Sequence, residues 1–150
     1  MATTWLLDTS ALLTLRDDEP GAARVAQLLA AAATGREACL ACFVSLMELT
    51  YRVWLDEDEA AARLAHAQCL SLPLIWVHET PDLLLQAASF KARFRMSFAD
   101  AWVAAAAAQA TAVLVHKDPQ LAAVGLPQEV LPLKLKVQPK GPPKGHVVRK

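Results

Sequence analysis

With 150 residues, 55% of them apolar, the chain is long enough for one domain with its own core and too apolar to be disordered. Its formal charge of zero hides an asymmetry: residues 133–150 carry six basic groups and no acid, whereas the other 132 residues carry nine basic and fifteen acidic groups. An acidic body is unlike a protein that coats nucleic acid with a basic face; the start has no basic run, and Asp100 and Gln109 interrupt the most apolar stretch, so neither a signal peptide nor a membrane span is expected, and a cytoplasmic location is.

Strand-length apolar runs alternate with helical segments along the chain. Trp5-Leu-Leu-Asp8 reads as a first strand, Pro20-Gly21 opens a helix that Gly35 closes, and residues 38–44 form a second apolar run. Ser45 to Leu55 then reads as a helix with Leu46, Leu49 and Val53 on one stripe, and another helix follows from about Glu57 to Leu70. Leu74–Val77 is the third strand, Pro81 starts a helix reaching Phe94, and Phe98–Ala110 is an Ala-rich helix able to approach a sheet closely. Ala112–Val115 is the fourth strand and Val130–Val137 a fifth, with Leu131, Leu133, Leu135 and Val137 alternating against Pro132, Lys134 and Lys136 as on a protected edge. Such alternation implies an α/β domain, residues 1–137, with a parallel sheet covered on both faces. Residues 138–150 are rich in Lys, Pro and Gly and are expected to be a flexible basic tail.

Three cysteines cannot all pair within one chain. Cys39-x-x-Cys42 has no second ligand pair for zinc and lies in the run Ala-Cys-Leu-Ala-Cys-Phe-Val, so buried thiols are expected. The acids are more informative. Parallel sheets bind ligands beyond the carboxyl ends of their strands, and four acids belong there. Asp8 ends the first strand, Glu48 lies a turn beyond the second, Asp118 follows the fourth, and Asp100 sits in the first turn of the helix feeding the fourth. Each also has a purely structural reading. Ser45-x-x-Glu48 and Ser97-x-x-Asp100 match the capping box, Asp118-Pro119 matches an N-cap before proline, Asp8 would cap a helix starting at Thr9, and Glu48 would pair with Arg52. Four crowded carboxylates repel one another, and a hard divalent cation with oxygen preference, Mg²⁺ or Mn²⁺, relieves that conflict and suits phosphodiester hydrolysis.

The segments Asp8-Thr9-Ser10-Ala-Leu-Leu, Ser45-Leu-Met-Glu48-Leu, Ser97-Phe-Ala-Asp100-Ala-Trp and Val115-His-Lys-Asp118 resemble, in order and spacing, the motifs of the PIN-domain family, most closely the VapC-like toxins of bacterial type II toxin–antitoxin systems. The resemblance covers about residues 4 to 133. It implies a three-layer α/β/α PIN-like fold with a central parallel sheet of four to five strands. It also implies a Mg²⁺- or Mn²⁺-dependent endoribonuclease, a homodimer, and a small antitoxin that obstructs the acidic site. By position Asp8, Glu48, Asp100 and Asp118 match the family's catalytic and metal-binding quartet, with Ser10 and Ser97 in support. The chain departs from the pattern at His116, where the family usually has Thr or Ser; His116 is therefore either a further site residue or a bystander at the strand end.

RNA must also be held. Lys91, Arg93 and Arg95 precede Asp100 and Lys117 precedes Asp118, so they are candidates for phosphate contacts, the alternative being a solvated helix face. Trp54 and Trp102 are expected in the core or a dimer interface rather than stacked on bases. Two other classes compete. A phosphoacceptor receiver module needs an acceptor Asp after the third strand, where the chain has His78-Glu79, and a dehalogenase-like phosphatase needs Asp-x-Asp where Ser10 stands. A PIN-like binding or regulatory protein with little turnover is compatible with the same residues.

Overall fold

A computed structural model describes residues 2–134. Five parallel strands form one sheet in the order β3-β2-β1-β4-β5. They are β1 (Thr4–Leu7), β2 (Ala38–Cys42), β3 (Ile75–Val77), β4 (Val113–His116) and β5 (Gln128–Val130). The helices between them are α1 (Thr9–Arg16), α2 (Ala22–Ala33), α3 (Phe43–Asp56), α4 (Glu59–Leu70), α5 (Pro81–Arg93), α6 (Phe98–Ala110) and the single turn α7 (Pro119–Ala122).

Strand side chains alternate between the two faces of a sheet, and this alternation divides the core in two. Leu6, Cys42 and Leu114 pack with α5 and the Ala-rich α6. Leu7, Cys39, Ala41 and Val115 pack instead with α1, α2, α3 and α4. The result is a three-layer α/β/α sandwich. Small side chains let α6 lie close to the sheet: Ala104, Ala105 and Ala106 are all fully buried. The αL residue Thr111 ends this helix, and β4 begins two residues later, so the N-terminus of α6 lies at the carboxyl end of the sheet. Cys39 and Cys42 face opposite layers, and burial pushes all three thiols, Cys69 included, up to about 11, which fits unreactive core residues.

The helix that Asp8 would cap, read from sequence only as the structural alternative for that residue, is present as α1. The structure departs from the sequence reading at two places. Helix α3 starts at Phe43, so Ser45 lies within it; the N-cap is Cys42, which makes no side-chain capping bond. The buried Ser45 hydroxyl instead accepts from Thr9 Oγ1 at 2.9 Å, tying α3 to α1. The fifth strand is 128–130 rather than 130–137, with Leu114 opposite Gln128 and His116 opposite Val130. Pro132 has no N–H for a ladder, Leu131 is buried but Leu133 is 64% exposed, and the expected in–out alternation stops there. Gly21, at φ +102°, presses against this exit segment; a Cβ there would lie 3.3 Å from Leu131 Cβ and Pro132 Cδ. The expected tail, 138–150, and its boundary lie outside the described residues. Among the described residues no helix is long and apolar enough to cross a membrane.

Candidate functional site

The strand order reverses between β1 and β4, which creates the crevice where open parallel sheets take ligands. A cleft of about 400 Å³ opens there. Asp8, Glu48, Asp100 and Asp118 all line it, together with Ser10, Thr9, Arg52 and Lys117. Four separate elements thus deliver the predicted quartet to one rim: the end of β1, the second turn of α3, the first turn of α6 and the loop after β4. Asp17, Glu19 and Asp56 extend the acidic lining, leaving seven carboxylates against two cations.

Capping and site-building coexist in three of the four acids. Asp8 is buried, and its Oδ2 accepts from Ser10 N at 3.1 Å and Ser10 Oγ at 2.5 Å; Oδ1 makes no hydrogen bond among the described residues. Ser10 Oγ in turn accepts from Lys117 N at 3.0 Å and so links the ends of β1 and β4. Ser97 caps α6 by accepting from Asp100 N at 3.1 Å, and Asp118 caps α7 by accepting from Gln120 N at 2.8 Å through Oδ1. Glu48 is different. With Ser45 inside α3 it closes no capping box, and it forms no ion pair with Arg52 among the described residues.

Burial without a cationic partner raises a carboxyl pKa, and neighbouring carboxylates raise it further. Burial lifts Asp8 above the usual aspartate range, the two Ser10 bonds opposing it and Glu48 adding to it. Asp100 is pushed up to about 8, first by burial, then by its hydrogen bond with Asp118 and the charges of Asp8, Asp118 and Glu48. The Asp100 carboxyl therefore holds its proton to well above the usual aspartate range.

Oxygen donors of this kind match Mg²⁺ or Mn²⁺ rather than softer metals. Among the described residues no three Asp, Glu, His or Cys side chains already stand as a formed metal cage. A cation held beside Asp100 would have to compete with the proton on that carboxyl.

His116 lies at the end of β4, inside the fold. Its ring is fully buried, with Nδ1 accepting from Asp118 N at 2.9 Å and Nε2 facing Gln128 Oε1 at 2.7 Å. The basic candidates divide. Lys117 lines the cleft but is nine-tenths buried, 3.5 Å from Glu19 Oε1. Lys91 donates to Met96 O at 2.6 Å and lies over the Phe98 ring, while Arg93 donates to Ser89 Oγ and lies over Phe90 and Phe94; neither lines the cleft. Arg95 is exposed on the loop leading to Ser97 and also lies outside the cleft. Arg52, one turn beyond Glu48 on α3, is the cleft cation that the sequence reading assigned only to an exposed pair; its i, i+4 spacing from Glu48 is the signal that places it there. Trp102 packs edge-on to Phe43 at 5.1 Å, whereas Trp54 is 45% exposed and outside the core. His78 and Glu79 are exposed and away from the cleft, where a receiver module would need its acceptor.

The family model described as PIN domain matches residues 5–126. No curated protein matches significantly. Similar solved structures include VapBC2 from Rickettsia felis bound to a DNA fragment from its promoter, at 14% identity and a TM-score of 0.70 over 87% of this chain and 100% of that one. Mycobacterium tuberculosis VapC20, a sarcin–ricin loop cleaving toxin, gives 23% identity and 0.67 over 87% and 100%. DNA-bound VapBC from Salmonella typhimurium gives 16% and 0.67 over 87% and 98%.

Proposed function

The chain belongs to the PIN-domain family, and from that premise we propose that it is a divalent-metal-dependent endoribonuclease, the toxin of a toxin–antitoxin pair. The observation that carries this reading is the convergence of Asp8, Glu48, Asp100 and Asp118, from four elements, on one cleft at the strand carboxyl ends. These four residues would hold Mg²⁺ or Mn²⁺. When bound, such a cation neutralises the carboxylates and stabilises charge on a transferring phosphoryl group.

The chain's own residues prepare that chemistry. Phosphodiester hydrolysis adds water at phosphorus and expels a sugar oxygen, so it needs an anionic substrate held beside proton acceptors. Unneutralised, the acidic lining repels RNA, which makes activity conditional on the cation. Ser10 holds Asp8 by its Oδ2 and leaves Oδ1 for a ligand. Burial, Asp118 and the neighbouring charges favour a proton on Asp100, which a cation held by the quartet would replace. Arg52 supplies a cation for phosphate beside Glu48; Arg95, Lys91 and Arg93 would meet RNA outside the cleft, near the N-terminus of α6.

The similar VapBC structures support an antitoxin partner. Two apolar grooves of about 450 Å³ would serve protein contacts. One lies on α5 and α6 around Leu84, Phe98 and Trp102, the other on α3 around Met47, Tyr51 and Trp54. A homodimer would cover one of them.

The test is cleavage of a mixed cellular RNA pool. Wild type should cut with Mn²⁺ or Mg²⁺ and fail in EDTA, and Asp8→Asn or Asp100→Asn should lose at least about 10²-fold in rate, roughly the scale of a lost electrostatic group. Full activity in excess EDTA would overturn the metal mechanism.

A further inference from the structure

We propose that His116 and Gln128 form a positioning relay that fixes the backbone entering Asp118, and with it the Asp118 carboxylate, for the reaction proposed above. The inference rests on the nuclease reading for its activity test but not for its geometry.

Three links hold the relay, and each has a forced direction. Gln128 Nε2 donates to Leu126 O at 3.1 Å and Ala122 O at 3.3 Å. Backbone carbonyls only accept, so the Gln128 amide nitrogen must face them and Oε1 must face His116 at 2.7 Å. An amide oxygen also only accepts, so the ring carries its proton on Nε2. The neutral ring then offers Nδ1 as an acceptor, and Asp118 N–H takes it at 2.9 Å. The amide that reaches Asp118 is thereby tied, through a fully buried ring, to the loop ahead of β5. Leu131 N donates to His116 O at 2.8 Å and holds the same residue through its backbone.

Asp118 has few other anchors. Its Oδ1 caps α7, a single turn, and its side chain meets Asp100. The backbone N–H is thus the handle by which the fold sets where this carboxylate stands. A Thr or Ser hydroxyl can make the same bond to the amide two residues on, without help from elsewhere. His116 reaches further and needs Gln128 to set its tautomer.

The test is a double-mutant cycle on RNA cleavage. His116→Leu and Gln128→Leu should each lower kcat about tenfold, the low end of losses from residues that orient a ligand, with KM little changed. His116→Thr should recover most of that loss, and adding Gln128→Leu to it should cost nothing further. Equal losses from Gln128→Leu in both backgrounds, or His116→Thr as poor as His116→Leu, would overturn the relay. If the buried substitutions prevent folding, nitrogen NMR of the wild-type protein without metal decides instead. The relay requires Nε2 protonated and Nδ1 bonded to the Asp118 amide; an Nδ1–H tautomer would overturn it. An inactive protein with the required tautomer would sink the nuclease reading and leave the relay standing.

Discussion

Asp100 shows how one residue serves fold and site at a cost to the fold. Its amide is capped by Ser97, which stabilises α6, yet its carboxyl lies buried among like charges and is pushed up to about 8. Between pH 4 and pH 8 the folded protein therefore binds a proton that the unfolded chain has released, and stability without metal falls as pH rises through that window. Asp100→Asn removes the titration while keeping a group that can hydrogen-bond to Asp118. In EDTA the variant should unfold at nearly the wild-type temperature at pH 4, and about 5 °C higher at pH 8. Melting curves at both pH values check this; a difference that does not grow with pH would show that Asp100 ionises freely. The four acids were legible from sequence because strand ends and helix starts are marked by short local signals. The raised pKa of Asp100 was not, since burial and spacing at a cleft are tertiary facts. His116 likewise gave no sign of Gln128, its partner across the sheet.

Among the elements, the two Ser-x-x-acid boxes separate what local pattern can and cannot decide. Both match a helix start, but only Ser97 is one. Apolar Phe43 and Val44 extend α3 by a further half-turn because they bury against the α5–α6 layer, and this puts Ser45 inside, bonded to Thr9. The same competition left α1 as only a capping alternative in the sequence: short and of modest helix propensity, it forms because Ala11 and Leu12 bury against α2 and the sheet. At β5, alternation of Leu with Lys and Pro suggested a strand starting two residues too late; pairing with β4 and the missing Pro132 N–H end it at Val130. The serines should respond differently to substitution. Ser97→Ala should cost about 1 kcal/mol, restored by Ser97→Asn, as at a true N-cap. Ser45→Ala should cost about 1–2 kcal/mol by stranding the buried Thr9 hydroxyl, and Ser45→Asn should worsen it, because the site is fully enclosed. Denaturant midpoints of the four variants test the assignment; rescue by Asn at position 45 would restore the capping-box reading.

For the molecule as a whole, the quartet spans residues 8 to 118, nearly the full described chain. A ligand held by all four joins β1, α3, α6 and the loop after β4 at one point, adding to the sheet, the two cores and the Ser10–Lys117 bond. Any free energy it supplies therefore stabilises the whole cooperative unit rather than one loop. The acidic body strengthens the effect, since repulsion among the cleft carboxylates persists until a cation or protons offset it. At a Mn²⁺ concentration about a hundredfold above its dissociation constant the gain is about 2.7 kcal/mol, or roughly 5–10 °C for a domain of this size. The rise should follow tryptophan fluorescence and far-ultraviolet dichroism equally, grow from pH 6 to pH 8 as competition from the proton on Asp100 declines, and be sharply reduced in Asp8→Asn. The same rise in wild type and Asp8→Asn would place the cation elsewhere. A rise seen by only one probe would mean that it orders a local segment, and the four carboxylates would then be neighbours on a rim rather than parts of one binding site.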